Sequence, residues 1–168
     1  MESILTNSLR RADRFWLLDG AMGTQLQNKL RQRGQDPFGL QPELLNLTHP
    51  EIVTEVHREY LLAGANILYT NTFGASRKKL QTSGHTSAEI ISAAVQNARR
   101  AIESVGTEGD ASRHLIALDI GPLGELMEPS GTLSFTEAYE LFCEQVRAGI
   151  TAGVDLVVLE TMTDLYEV

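Results

Sequence analysis

The sequence predicts an α/β fold built on a parallel β-sheet. Short runs of consecutive apolar residues alternate along the chain with segments whose apolar residues recur at helical spacing. Strands that are buried on both faces of a sheet give such unbroken apolar runs. Four strands are predicted, over residues 15–19, 66–71, 115–119 and 155–160. The regular alternation of strand and helix is typical of a parallel sheet with right-handed crossovers.

Three amphipathic helices are predicted between these strands. Their apolar stripes comprise Ile52, Val56, Tyr60 and Ala63; Ile91, Ala94, Val95, Ala98, Ala101, Ile102 and Val105; and Phe135, Ala138, Phe142, Val146 and Ile150. Each stripe follows a hydroxyl residue with an acid three positions later, the pattern of a capping box: Thr48 with Glu51, Thr86 with Glu89, and Ser134 with Glu137. Gly64 and Gly153 suit the left-handed ends of two helices. A fourth helix is predicted to begin at residue 162.

A repeated sequence pattern within the chain indicates which parallel fold this is. Residues 63–72 (AGANILYTNT) and 152–161 (AGVDLVVLET) align without a gap, and they lie 89 residues apart. We interpret this separation as two βα units of a (β/α)₈ barrel of the TIM type, which uses about 31 residues per unit before insertions. The chain would then form about the first four βα units, a half barrel. A doubly wound sheet is the alternative.

The composition restricts the class of protein. With 14 basic and 22 acidic residues, the net charge is −8, which argues against nucleic-acid binding. No apolar run is long enough to span a membrane, and residues 1–13, a leader or a helix, lack the apolar core of a secretory signal. The single cysteine, Cys143, suits a reducing compartment. We therefore expect a cytoplasmic protein.

Polar residues stand at the carboxyl end of every predicted strand. They are Asp19, the segment Thr70, Asn71 and Thr72, then Asp119 and Glu160. In parallel α/β folds these ends converge on one face, where ligands bind. Carboxylates gathered there raise one another's pKa unless a cation, either a metal ion or an ammonium group, joins them. Alternatively, Asp19 and Asp119 serve only to shape turns.

The remaining chemistry-bearing residues indicate neither a metal site nor a phosphate loop. Cys143 is interpreted as a small buried hydrophobe within a helix. The four histidines, His49, His57, His85 and His114, are interpreted as surface or boundary residues. The glycines of residues 20–24 lack the Gly-Lys-Ser/Thr and GxGxxG patterns of phosphate loops. No set of three or four residues has the spacing of zinc ligands.

Four blocks of the chain resemble one known family. The blocks are LLDGAMGTQL, ELLNLTHPEIVTEVHREYLLAGANILYTNTFGASR, DIGPLGEL and AGVDLVVLETMTD. In this order they resemble the homocysteine-binding domain of homocysteine S-methyltransferases, above all its bacterial cobalamin-dependent members. The resemblance runs from about residue 15 to the end. It implies that residues 1–168 are the N-terminal half of a (β/α)₈ barrel. It also implies a set of homocysteine-binding residues: Asp19, Gly20, Thr70, Asn71, Thr72, Phe73 and Glu160, with Asp119 a further candidate.

The resemblance also implies what this chain lacks. Family members hold zinc through three cysteines on later strands, and zinc-bound homocysteine thiolate accepts the methyl group. Without these ligands the chain alone is expected to be inactive. Cobalamin and methyltetrahydrofolate would act through other modules. The open sheet edges predict a partner, either a C-terminal half-barrel chain or a second copy.

Two other functions stay open from the sequence. The half barrel could be a non-catalytic binding or assembly module. The chain could also be an unrelated α/β enzyme that binds a small anionic ligand at a helix N-terminus.

Overall fold

A three-stranded parallel sheet organises the computed structural model, which describes residues 15–106 and 114–168. The strands are β1 (Ile67–Tyr69), β2 (Leu115–Ile120) and β3 (Leu156–Leu159), in the order β1-β2-β3. All pairs are parallel, as the alternation of strands and helices predicts. The predicted leader or helix at residues 1–13 lies outside the described residues.

The first predicted strand, residues 15–19, is reduced to a single parallel bridge between Leu18 and Ile67. Two backbone bonds flank it, because Asp19 N donates to Ile67 O at 2.9 Å and Asn66 N donates to Leu17 O at 2.7 Å. The prediction of a buried strand is wrong for its side chains, since Phe15, Leu17 and Leu18 are exposed. This segment pairs on one side only within the described residues, so little holds a longer ladder together.

Six helices surround the sheet in the described part of the chain. They are α1 (Met22–Gln32), α2 (Leu45–Thr48), α3 (Pro50–Leu62), α4 (Arg77–Leu80), α5 (Ser87–Ser104) and α6 (Phe135–Ala152), with a 3₁₀ turn at Pro42–Leu44. The three predicted helices correspond to α3, α5 and α6. Helix α1 was not predicted, because its buried apolar residues are only Leu26 and Leu30. The predicted fourth helix is wrong, because residues 165–167 form a turn.

Of the three predicted capping boxes, the one on α5 forms completely and the one on α6 forms one of its two hydrogen bonds. Thr86 and Glu89 form a complete capping box on α5. At α6 the Ser134 hydroxyl accepts from Glu137 N, while the Glu137 carboxylate contacts Lys78 instead. The cap predicted at Thr48 is wrong.

Thr48 ends α2 rather than starting α3. Its hydroxyl donates to Leu44 O at 3.1 Å, and α3 begins at Pro50 with His49 as an N-cap that makes no side-chain bond. The two helices follow each other so closely that Thr48 is used for the first one. Both predicted glycine ends are confirmed, with φ of 106° at Gly64 and 88° at Gly153.

The core lies between β2 and the long helices. Every residue of β2 is buried, and Leu118 and Ile120 pack with Ile90 and Ile91 of α5. Burial is only partial along β3, which has one partner strand. The predicted apolar stripe of α6 is correct at Ala138, Phe142 and Val146 but wrong at its ends, where Phe135 and Ile150 are exposed. None of the helices in the described residues has the length and hydropathy of a membrane span.

Candidate functional site

A cavity of 520 Å³ opens where the carboxyl ends of the strands meet. Six of the eight predicted site residues line it: Asp19, Gly20, Thr70, Phe73, Asp119 and Glu160. They come from four separate stretches of the chain, and the parallel sheet brings them together. The cavity is also lined by Ala21, Met22, Gly23, Pro42, Glu43, Tyr69 and Thr161.

The other two predicted site residues, Asn71 and Thr72, do not line this cavity. The Asn71 side chain donates to Pro42 O at 2.7 Å, which fixes the 3₁₀ turn against the strand end. The Thr72 hydroxyl donates to Asp119 O at 2.7 Å and lies 2.7 Å from the Thr70 hydroxyl. Both residues therefore hold the wall of the cavity from behind.

Asp19 is held at the cavity by the backbone of β1. Its Oδ2 accepts from Tyr69 N at 3.1 Å, while Oδ1 is buried and has no hydrogen-bond partner among the described residues. Burial raises the pKa of Asp19 to about 7, with a smaller contribution from the Glu160 carboxylate, and the Tyr69 bond opposes this rise. A buried acceptor without a partner is costly, so this oxygen is suited to a ligand donor.

Asp119 occupies a similar position at the end of β2. Its Oδ1 is also buried without a partner in the described part of the chain. Burial raises the pKa of Asp119 to about 8, and the carboxylates of Glu160 and Asp19 raise it further. The Glu160 carboxylate thus contributes to the raised pKa of both Asp19 and Asp119, as expected for groups that share one cavity.

Glu43 is a fourth carboxylate that sequence reasoning missed. It is 5% exposed, lies in the 3₁₀ turn, and accepts from Gly74 N at 2.7 Å. A Cβ on Gly74 would lie 2.6 Å from Glu43 Oε1, so this close approach needs a glycine. The sequence signal was weak, because an acid in a first helical turn is ordinarily a solvent-exposed partner of the helix dipole.

Phe73 forms another part of the wall, between a glycine and a lysine. A Cβ on Gly121 would lie 2.5 Å from the Phe73 ring, so the aromatic side chain fills the space that Gly121 leaves. The Lys79 ammonium lies 5.1 Å from the centre of the same ring, on the scale of a cation–π contact. Burial lowers the pKa of Lys79.

One histidine differs from its sequence interpretation. His57 is 0% exposed, not a surface or boundary residue, and its Nδ1 lies 3.9 Å from Asp19 Oδ2. Burial lowers its pKa to about 4, which makes the ring neutral near pH 7. The spacing of apolar residues placed His57 at the margin of the α3 stripe, whereas the structure buries it beside the Asp19 carboxylate.

The described residues contain no group of three or more His, Cys, Asp and Glu side chains that could hold a metal ion. The four carboxylates of the cavity therefore do not fit a zinc ion. Cys143 is half-buried on α6 and does not line the cavity. What the cavity offers is hydrogen-bond acceptors and negative charge.

The fold and site define an α/β protein with a parallel sheet and an acidic cavity at the carboxyl ends of its strands. The family model for homocysteine S-methyltransferase matches residues 16–168. The chain belongs to the homocysteine S-methyltransferase family.

The relatives of known identity agree with this assignment. The chain is 32% identical over 163 residues to a methionine synthase of Mycobacterium leprae (strain TN), covering 93% of this chain and 13% of that protein. It is similar to crystal structures of the homocysteine methyltransferase MmuM from Escherichia coli at 29% identity. The metallated form gives a TM-score of 0.77 over 97% of this chain and 59% of that one. The oxidized form gives 0.78, over 99% and 59%. The chain thus spans less than two thirds of the length of each of these relatives.

Proposed function

We propose that this chain binds the amino-acid end of homocysteine, as the substrate half of a methyltransferase domain that forms methionine. The observation that carries the proposal is the pair of buried, unpartnered carboxylate oxygens, Asp19 Oδ1 and Asp119 Oδ1, beside Glu160 in one cavity. An ammonium group supplies three donors and a positive charge. It would therefore satisfy both oxygens and stabilise their ionised forms.

The charge of the cavity favours an ammonium ligand over an anionic one. Among the described residues, its lining includes four carboxylates and no lysine, arginine or histidine. An anion placed there would meet like charges, whereas anion sites use helix N-termini or basic side chains. The alternative of an enzyme with a small anionic ligand is therefore not proposed.

We propose in addition that residues 1–168 form about four βα units of a barrel. The likeness to 59% of the E. coli enzyme supports this, as does the partial exposure of β3. An apolar groove of 700 Å³ between α6 and β3, lined by Phe142, Val157 and Leu159 among others, would be covered by the next unit. A C-terminal half-barrel chain, or a second copy of this one, would have the same effect.

The sulfur chemistry is assigned to residues other than those described. Zinc is consistent with the metallated form of the E. coli relative, but this cavity does not fit the ion. The part that Asp19, Asp119 and Glu160 play is to bind and orient the amino acid. Cobalamin and methyltetrahydrofolate remain proposals for the whole protein, through modules outside this chain.

Titration calorimetry with the full chain tests the proposed ligand. L-homocysteine is expected to bind, and 4-mercaptobutyrate, which differs only in lacking the amino group, is expected to bind at least about tenfold more weakly because one charged hydrogen-bonded contact is lost. Glu140→Gln, an exposed acid on α6, is the matched control and should leave both affinities unchanged. Equal affinity for the two compounds, or no binding of either, would refute the proposal. If neither compound binds, the alternative of a non-catalytic module is favoured.

A further inference from the structure

The residues that support the Asp19 carboxylate from below belong to α3. Its His57 and Tyr60 are three positions apart and therefore lie on the same face of the helix. The Tyr60 hydroxyl donates to Ala21 O at 3.0 Å, and a Cβ on Gly20 would lie 3.0 Å from the same hydroxyl. His57 Nδ1 faces Asp19 Oδ2 at 3.9 Å. One helix face thus contacts the turn at residues 19–21 at two points.

We propose that His57 is a positioning residue for Asp19, with its ring proton on Nδ1, and that it fixes the carboxylate in the orientation that receives the substrate ammonium. This inference rests on the proposed function. Both side chains are buried, with His57 0% and the Asp19 side chain 1% exposed. Neither ring nitrogen has a hydrogen-bond partner among the described residues, so the imidazole is free to take this role.

Asp19 Oδ2 has room for one further hydrogen-bond donor, on the side where His57 Nδ1 lies. Asp19 Oδ2 already accepts from Tyr69 N on one side and faces His57 on the other. A carboxylate oxygen can accept two such bonds, and closing the gap from 3.9 Å to a hydrogen bond of about 2.9 Å needs a shift of about 1 Å. Asp19 lines the cavity, and its Oδ1, the oxygen without a partner among the described residues, is left for a donor of the ligand.

A neutral donor suits this position better than a charged one. A lysine or arginine beside Asp19 would neutralise the carboxylate and compete with the ammonium for it. The buried imidazole carries no charge near pH 7, since burial depresses its pKa. It can donate one hydrogen bond and leave the negative charge for the ligand.

Nitrogen NMR of the full chain tests the inference without any ligand. The His57 signals, assigned by their loss in His57→Asn, are expected to show a protonated Nδ1 and an unprotonated Nε2 at about pH 9, where Asp19 is ionised because its pKa is about 7. A ring protonated on Nε2 would overturn the proposal. This readout reports the tautomer, which a residue that only fills the core would not fix in this way.

Variants provide the second test. His57→Asn keeps a donor near the position of Nδ1, and it should bind L-homocysteine within about threefold of the parent chain, whereas His57→Leu keeps the packing alone and should lose about tenfold. Val53→Ala, at another fully buried position of α3, is the control for a loss of stability alone. Equal losses in the two His57 variants would contradict the inference. If the parent chain binds no homocysteine, the proposed function fails, and the tautomer still decides the role of His57.

Discussion

At the scale of the residue, the proposed binding site depends on the two carboxyls with raised pKa values. Burial raises the pKa of Asp19 to about 7 and that of Asp119 to about 8, and no lysine, arginine or histidine among the described residues lines their cavity. A buried acid of this kind costs stability at neutral pH, and it is often part of a functional site. A ligand cation of the kind proposed here would offset this cost.

This cost predicts a pH-dependent effect of Asp119→Asn. The native pKa of about 8 exceeds the unfolded value of 3.8, so the native state keeps a proton that the unfolded state releases. The contribution of Asp119 to the free energy of unfolding is therefore full below pH 3.8 and declines until pH 8. The free energy of unfolding of the asparagine variant, relative to that of the parent, should therefore rise by about 1–3 kcal/mol from pH 4 to pH 8.

Urea unfolding at a series of pH values measures this gain. Glu140→Gln, the exposed matched variant, should show a constant difference from the parent across the same range. A gain of Asp119→Asn that is largest at pH 4 and vanishes at pH 8 would contradict the assigned burial.

The sequence could predict which residue types collect at the site, and it could not predict their side-chain contacts. Asp19 and Glu160 follow directly from the rule that strand ends converge. Asn71 and Thr72 obey the same rule, but their side chains bond to backbone carbonyls that only the folded chain supplies. Glu43 and His57 lie on helical segments, and no periodic pattern shows that these segments press an acid or an imidazole against the cavity.

At the scale of the element, the capping boxes can be ranked by experiment. Thr86 accepts from Glu89 N and receives the Glu89 carboxylate in return, which satisfies two donors at the start of α5. Thr86→Ala is expected to lower the free energy of unfolding by about 1 kcal/mol. Thr48→Ala removes a hydroxyl that bonds back within α2 and should cost less than about 0.5 kcal/mol.

Chemical denaturation of the two variants beside the parent chain measures both costs. Equal destabilisation by Thr48→Ala and Thr86→Ala would show that the predicted cap at Thr48 does form in solution. A loss confined to Thr86→Ala would agree with the structure.

Element boundaries were predictable where a single physical signal dominates. Continuous apolar runs identified β1, β2 and β3. Hydroxyl residues identified the starts of α5 and α6, and glycines identified the ends of α3 and α6. The helix α1 was not predicted because its polar face is wide and its buried residues are few. The first strand was overstated because apolar residues at a sheet edge, exposed here, have the same composition as buried ones.

At the scale of the whole molecule, topology turns distant residues into neighbours. The residues Asp19 and Glu160 are separated by 141 positions, yet both line one cavity because parallel strands present the same ends. The parallel α/β class was therefore predictable from the alternation of elements. The (β/α)₈ barrel predicted from the repeated sequence pattern remains a proposal, because its closure depends on strands that the described residues do not include.

The most direct test of the cation site is the proton balance of ligand binding. L-homocysteine should release protons when it binds the full chain at about pH 7, because the ammonium favours the ionised forms of Asp19 and Asp119. Calorimetry in phosphate and in Tris, whose ionisation enthalpies differ, gives the number released. The account predicts a net release of up to about one proton, reduced in Asp119→Asn. Binding with no proton release, or with proton uptake, would contradict it.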